Sequence, residues 1–489
     1  MELSRSIRPR PRVRLRCAVA LLLSAGLLGG CAVGPAYHRP EASAPAAFRD
    51  QAAAGDHSFA DLAWWDVYHD ERLKELIRIA LTDGYDARVA ATRVAQARAI
   101  AAQVHGQRFP ALGYDAAADR GRNVLLGNPY TQGNGTTADG FDGYLAATWE
   151  LDLWGRVRRL DEQARANYLA SDFARRGVLL SLVSQVATAY FELRELDDEL
   201  GVEQRAVQSF SDTLKLFNRR LEGGVVSRLE ISSAEAALAT NAARIPDLER
   251  QIALKENQIS ILIGRPPGPI ARGAPLEDQD FAPDVPAGLP SALLERRPDI
   301  RQAEEQARAA NAGIGVTVGG FLPRIGLSAL LGAVSPSLDQ ITSRTAGLWS
   351  IGAQASGPLF QAGGLRGQYD QARAAWEQAK LQYQQTALNA FAEVADALVT
   401  RQKLAAVREQ QARAVAAYRE AVRISAERYT AGRAAYYEVL QAQQQLFPAE
   451  SALAQTQRDQ LSAVVQLYKA LGGGWNLKDA AAWGGPAAK

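Results

Sequence analysis

Reactive side chains are scarce in this sequence. Its 489 residues include two cysteines, four histidines and one methionine. His38, His57, His69 and His105 are scattered, and no metal-ligating constellation can be assembled from them. There is no P-loop and no H-E-x-x-H. The glycines between Gly133 and Gly140 lack the strand and helix flanks of a phosphate loop and read as a polar turn. With no nucleophile, base or metal set, the chain reads as not an enzyme, and it calls for no cofactor. Charge of one sign is also missing. The formal net charge is +2, and six arginines against one glutamate lie before Cys31, so the remainder carries −3. That balance argues against nucleic acid, whose phosphates need a basic face. After the first 28 residues no apolar run is long enough for a membrane helix.

What is present begins at the N-terminus. "RSIRPRPRVRLR" is a positive n-region, and Cys17 to Leu28 is an apolar stretch of signal-peptide length. Leu28-Gly29-Gly30-Cys31 follows and resembles the lipobox of bacterial lipoproteins. The resemblance implies cleavage before Cys31 and a diacylglyceryl anchor on it, and several acyl chains hold a protein stably. A simple cleaved signal with an accidental cysteine is the alternative. Cys17 would leave with the signal, so no disulfide is expected. Ala32 is not aspartate, which by analogy with lipoprotein sorting favours the outer membrane.

An internal repeat dominates the rest. A shift of 208 puts Gly155 on Gly363, Gln163–Ala166 on Gln371–Ala374, and Val186–Ala189 on Val394–Ala397. It also puts Arg220 on Arg428, Gly224 on Gly432, Glu230 on Glu438 and Gly264 on Gly472. Each unit has a run of strong helix formers, Gly155 to about Glu222 and Gly363 to about Thr430. At about 1.5 Å per residue each helix is on the order of 100 Å long. Glycine-bearing breaks follow, and second helices return to Gly264 and Gly472. Pro246 and Pro448 should bend those returning helices. Before each long helix the period changes to two. Phe141 to Leu153 alternates a greasy face with a polar one, and Thr345 to Pro358 does so more weakly. Partner strands start near Phe109 and Phe321. The expected divisions are 1–30 signal, 31–71 N-terminal lipidated segment, 72–264 first repeat, 265–472 second repeat and 473–489 tail.

Two β-hairpins give four strands. A chain without apolar helices can cross a bilayer only as a closed barrel, and barrels start at about eight strands. If a barrel forms, chains must share it, and Asp142, Glu150 and Asp152 would face its wet lumen. Otherwise the strands pack on helices in an ordinary α+β scaffold.

"GCAVGPAYHRP", "WWDVYHDERLKELIRIAL", "WELDLWGRVRR", "ERRPDIRQAEEQARAANAGIG" and "PLFQAGGLRG" occur in that order. In them the chain resembles the outer-membrane efflux lipoproteins related to TolC and OprM, the NodT-type subgroup. The resemblance implies a mainly α fold with a small β part. It implies a homotrimer sharing a twelve-stranded outer-membrane β-barrel, continued by a twelve-helix periplasmic α-barrel. It implies a passive efflux duct in a tripartite pump, served by a periplasmic adaptor and an inner-membrane transporter of the resistance-nodulation-division class. A duct for protein secretion and a non-conducting lipid-anchored coiled-coil scaffold are the alternatives.

Such a duct needs a latch near its helix tips. Asp212 with Lys215, and 208 residues on Glu420 with Arg423, are acid–base pairs at i, i+3. They are gate candidates, with Tyr418 and Arg419 beside them; a solvated helix-face pair is the other reading. By the resemblance Gly224, Val225, Ser227, Gly432 and Ala434, at the tips, are candidates for adaptor docking. Trp149 and Trp349 are expected to face lipid, core positions being the alternative.

Overall fold

The computed structural model describes residues 32–48, 61–122, 137–222, 226–279, 288 and 290–473. The expected signal segment, Cys31, Gly224 and Val225 lie outside the described residues. Short helices α1 (Trp64–Val67) and α2 (Glu71–Asp83) lead into α3 (Tyr85–Gly106), then β1 (Ala111–Arg122) and β2 (Thr137–Leu151). The long helix α4 (Arg156–Glu222) and its return, α5 (Arg228–Ala242) and α6 (Arg244–Leu262), complete the first repeat. The second comprises α7 (Leu293–Arg296), α8 (Pro298–Gly319), β3 (Arg324–Ser335), β4 (Gly347–Ser356), α9 (Gly364–Thr430) and α10 (Tyr436–Ala470). Both long helices have 67 residues and begin and end within a residue of the expected limits.

The return helices differ. Pro246 does not bend a continuous helix. The helix is interrupted at Ala243, and Pro246 falls in the first turn of α6, where its missing N–H costs no helical bond. In contrast, α10 runs on through Pro448.

One compact unit comprises Met1–Pro40, Ala95–Ala170 and Ala303–Tyr383, and holds the sheet. Its four strands are all antiparallel in the order β1-β2-β3-β4, so the hairpins of the two repeats pair with each other through β2 and β3. Both outer strands are edges.

The other unit comprises Glu41–Val94, Ser171–Gln302 and Gln384–Lys489. Along α4, Val183, Val186, Ala187, Tyr190 and Leu193 are fully buried at helical spacing. Asp70 caps α2 through the amides of Arg72 and Leu73. The same carboxylate accepts from Tyr190 Oη and Gln279 Nε2, each at 2.8 Å, and from the Ala274 amide at 3.2 Å. Burial opposes its ionisation. The hydrogen bonds from Gln279, Tyr190 and the two amides prevail and hold it below the usual carboxylate range. A Cβ at Gly273 would stand 2.3 Å from Asp70 Oδ1, so only glycine fits there. Farther along, Phe210, Phe217, Tyr436 and Phe447 form a core shared by α4 and α10, with Tyr429 of α9 packed against it. The Phe217 and Tyr436 rings meet edge to face at 4.4 Å.

Candidate channel wall, helix tips and latch

The register turns a weak alternation into a two-sided wall. Leu145 stands opposite Tyr114 and Leu331, and Leu331 opposite Trp349. Ala147 lies between Leu112 and Ala329, whose other neighbour is Ile351; Trp149 lies opposite Leu327. Directly paired residues share a face, so these make one apolar surface across all four strands. Leu112 is 74%, Trp349 74% and Ile351 80% exposed. The opposite face carries Asp115, Asp142, Tyr144, Thr148, Ser328 and Ser350 among glycine, alanine and three aliphatic side chains, Leu330, Val334 and Leu348. In the lone chain Trp349 is open, as expected of a lipid-facing residue. Trp149 is partly covered, and its indole donates to the Arg108 carbonyl at 3.0 Å.

Two of the three expected lumenal acids serve another purpose. Glu150 takes a bidentate pair from Arg156 at 3.0 and 2.8 Å. Asp152 accepts from the amides of Val157 and Arg158, at 3.0 and 2.8 Å, and so caps α4. Both fasten the strand to the helix. Asp142, the third, stands between Ala117 and Val334 on the polar face that Glu150 shares. Alternation showed the face these acids occupy; it could not show that a helix N-terminus six residues away would engage two of them.

At the tips, Gly432, two residues beyond the end of α9, has φ of +70°, a conformation glycine adopts without strain. Ser227 caps α5 in a reciprocal capping box with Glu230. Ala434 lies in the loop before α10, whose cap residue is Ala435 with no side-chain bond.

The latch candidates are brought together within each helix. Lys215 donates to Asp212 at 3.1 Å, and Arg423 holds both Glu420 and Glu427, at 2.5 and 2.6 Å. All are exposed. Hydrogen bonds from Gln208 and Lys215 hold the Asp212 carboxyl below its usual range, and Arg423 does the same for Glu420. Arg419 behaves differently. It crosses to α10 and pairs with Glu450 at 2.7 Å, and Arg205 of α4 takes the other oxygen at 3.1 Å. Glu450 is 8% exposed, so this clasp joins three helices through a buried carboxylate. Tyr418 is half-buried on α9. Glu450 escaped the sequence reading because its partners lie 31 and 245 residues away.

An acidic run on α4 was also missed. Burial, with Glu199 alongside, raises Glu195 to about 7, and burial raises Asp198 to about 6. The cluster "ELDDEL" (195–200) is visible in the sequence, but its burial against α10, where Gln455 donates to Glu199 at 2.7 Å, is not.

No group of three or more metal-ligating side chains occurs among the described residues, and no described helix is long and apolar enough to cross a membrane. The described residues offer the four-stranded sheet, and comparison with known proteins says what such a chain is similar to. The outer membrane efflux protein family matches residues 76–265 and 289–473, one segment per repeat. The chain belongs to that family. The probable efflux pump outer membrane protein TtgC of Pseudomonas putida is 34% identical over 464 residues, 94% of this chain and 95% of that one. The cation efflux system protein CusC of Escherichia coli is 29% identical over 452 residues, 92% of this chain and 96% of that one. Among solved structures, the outer-membrane channel OprN superposes with a TM-score of 0.84 at 30% identity, covering 91% of this chain and all of that one. The chain is thus an outer-membrane efflux protein with the α/β channel fold, and the reading as a lipid-anchored scaffold falls away.

Proposed function

We propose that three copies of this chain close a twelve-stranded barrel in the outer membrane and continue it as a helical duct in the periplasm. The observation that carries this is the sheet: one unbroken apolar face, one polar face and two unpaired edges. Four strands fall short of the minimum of about eight, so the wall must be shared. The duct is passive. Energy comes from an inner-membrane transporter of the resistance-nodulation-division class, and a periplasmic adaptor couples the two at the helix tips, around Gly224, Val225, Ser227, Gly432 and Ala434. Cys31 carries the lipid anchor. The cargo is small molecules delivered by the pump. The more polar sheet face mixes small residues and hydroxyls with Asp115, Asp142 and three aliphatic side chains, an assortment that suits free passage rather than selective binding.

Rings of Asp212–Lys215 and Glu420–Arg423 pairs are proposed to close the duct at rest, with Tyr418 and Arg419 flanking them. Their exposure in a single chain leaves them accessible to a neighbouring copy. Purified full-length protein in planar bilayers tests both levels. Discrete conductance is expected, and Asp212→Ala combined with Glu420→Ala should raise it. Absence of any conductance would overturn the channel reading; conductance that the double variant leaves unchanged would remove the latch alone.

A further inference from the structure

At the foot of the sheet, where strands meet helices, charges come in pairs. Glu150 is held by Arg156, Asp152 by Arg158, Glu162 by Arg159 and Asp161 by Arg108. Each pair sits within hydrogen-bonding reach, so its net field dies away quickly. Arg324 breaks the pattern. It opens β3, it is exposed, and among the described residues no carboxylate pairs with it.

The pleat fixes the face on which Arg324 stands. It alternates with Ile325 and Leu327, shares its side with Gly326 and Ser328, and pairs directly with Ser356. That side is the polar one. The Gln354 side chain lies across Gly326, 3.3 Å from where a Cβ would stand, so glycine leaves room for it. A cavity of about 570 Å³ opens there, of the size that small-molecule clefts have. Arg324, Gln354, Ser356, Ser328, Thr148 and Arg156 line it. Glu150, the acid of the same lining, is already engaged by Arg156. Amides, hydroxyls and one uncompensated guanidinium make a surface that receives an anion.

Distance isolates this charge from the acids of the polar face. Asp115 lies at the level of Tyr144 and Gly332, Asp142 at that of Val334, and Asp119 beyond both. Along β3, Gly332 and Val334 are about 26 and about 33 Å from Arg324 at the usual strand rise. Charges in water are screened over about 8 Å at physiological salt, so those acids do not cancel it. Duplication supplies no second copy. Helices α3 and α8 both have 22 residues and align end to end at a shift of 213, which carries Arg324 onto Ala111. Each chain therefore brings one such cation.

We propose that Arg324 sorts cargo by charge: three copies set three guanidinium groups at the foot of the barrel, and the cavity beside each is a weak subsite for small organic anions, carboxylates or sulfonates. Rings of one charge select the opposite ion in membrane pores, and conduction requires that binding be weak enough for release. Anions then enter the barrel from the helical duct more readily than cations of equal size. This rests on the shared-barrel reading, which turns the polar face to the lumen, and adds to it a residue that discriminates.

The test uses the purified full-length protein in planar bilayers under a potassium chloride gradient, where the reversal potential gives the potassium-to-chloride permeability ratio. Arg324→Gln should raise that ratio roughly twofold and Arg324→Glu further, while Arg324→Lys, which keeps the charge, should leave it in place. Sodium benzenesulfonate should briefly interrupt the wild-type current, and the interruptions should persist in Arg324→Lys and vanish in Arg324→Gln. Should Arg324→Glu fail to assemble, the lysine and glutamine variants decide. A ratio that Arg324→Gln leaves unmoved, or that Arg324→Lys and Arg324→Gln move equally, would overturn the charge role and leave the channel standing. Interruptions that survive in Arg324→Gln would overturn the subsite. A wild type without conductance would overturn the shared barrel and this assignment together.

Discussion

The two strand-to-helix junctions descend from one duplicated sequence and live in different surroundings. At the first, Asp152 caps α4, and Gly155, with φ of +78°, lies where a Cβ would stand 2.6 Å from the backbone of Ala32. Arg159 donates to the carbonyl of Val33 at 3.1 Å, which fastens the segment after Cys31 to the helix. At the second junction the corresponding residue is Phe360, which cannot cap and is 86% exposed; Gly363, with φ of +85°, touches nothing described. Backbone geometry survived duplication because the turn demands it. Side-chain chemistry did not, because one junction is completed inside the chain and the other is left for a neighbour.

The sharpest way to break this contrast is to add bulk at matched positions. Gly315→Leu forces a side chain into Arg159 and the Val33 carbonyl, and should destabilise the fold by about 3 kcal/mol. Gly367→Leu on the open counterpart face should leave the helix content and thermal midpoint of the chain intact while trimer is lost on size exclusion. Equal loss of folded protein in both would erase the distinction between the junctions.

A second contrast concerns the acids of α4. At a shift of 208, Glu195, Asp197, Asp198 and Glu199 fall on Lys403, Ala405, Ala406 and Val407, so the buried cluster belongs to the first repeat alone. Glu195 is raised from 4.5 to about 7, chiefly by burial, so it binds its proton more tightly folded than unfolded. The stability it contributes is complete below about pH 4.5 and is lost as pH rises through about 7. Glu195→Gln removes the buried charge. It should therefore exceed the wild type by about 2 kcal/mol at alkaline pH and match it below about pH 4.5. Thermal melts across that range read the gap directly, and Lys403→Gln, at the exposed counterpart, should show none.

The smallest contrast is at the tips. Ser227 and Ala435 correspond, and only the serine caps its helix. Ser227→Ala should cost about 1 kcal/mol, and Ala435→Ser should gain roughly half of that by capping the amide of Glu438. Melting of the paired variants measures both signs.

Much of this was legible before any coordinates. The long helices announced themselves by 67 residues of helix formers bounded by glycine, and the hairpins by alternation and polar loops. The missing parts share a physical cause: they depend on partners far away in sequence. Pairing of β2 with β3 joins residues more than 170 apart, and nothing local prescribes it. Glu150 lies on the polar face, as alternation implies, and Asp152 just past the strand's end, yet their partners Arg156 and Arg158 turn them into fasteners. Arg419 was singled out by its place near the tip; its target, Glu450, is an unremarkable glutamate until α10 folds back against α9.

The two raw strand margins have a consequence for biogenesis. A newly exported copy offers unsatisfied amides and carbonyls on both flanks and a greasy surface between them, the combination that invites indiscriminate aggregation. Maturation must then be a race in which encounter with two siblings outpaces sticking to anything else. The yield of channel should rise more steeply than expression level, and an escorting chaperone would earn its keep by shielding those flanks until the ring closes.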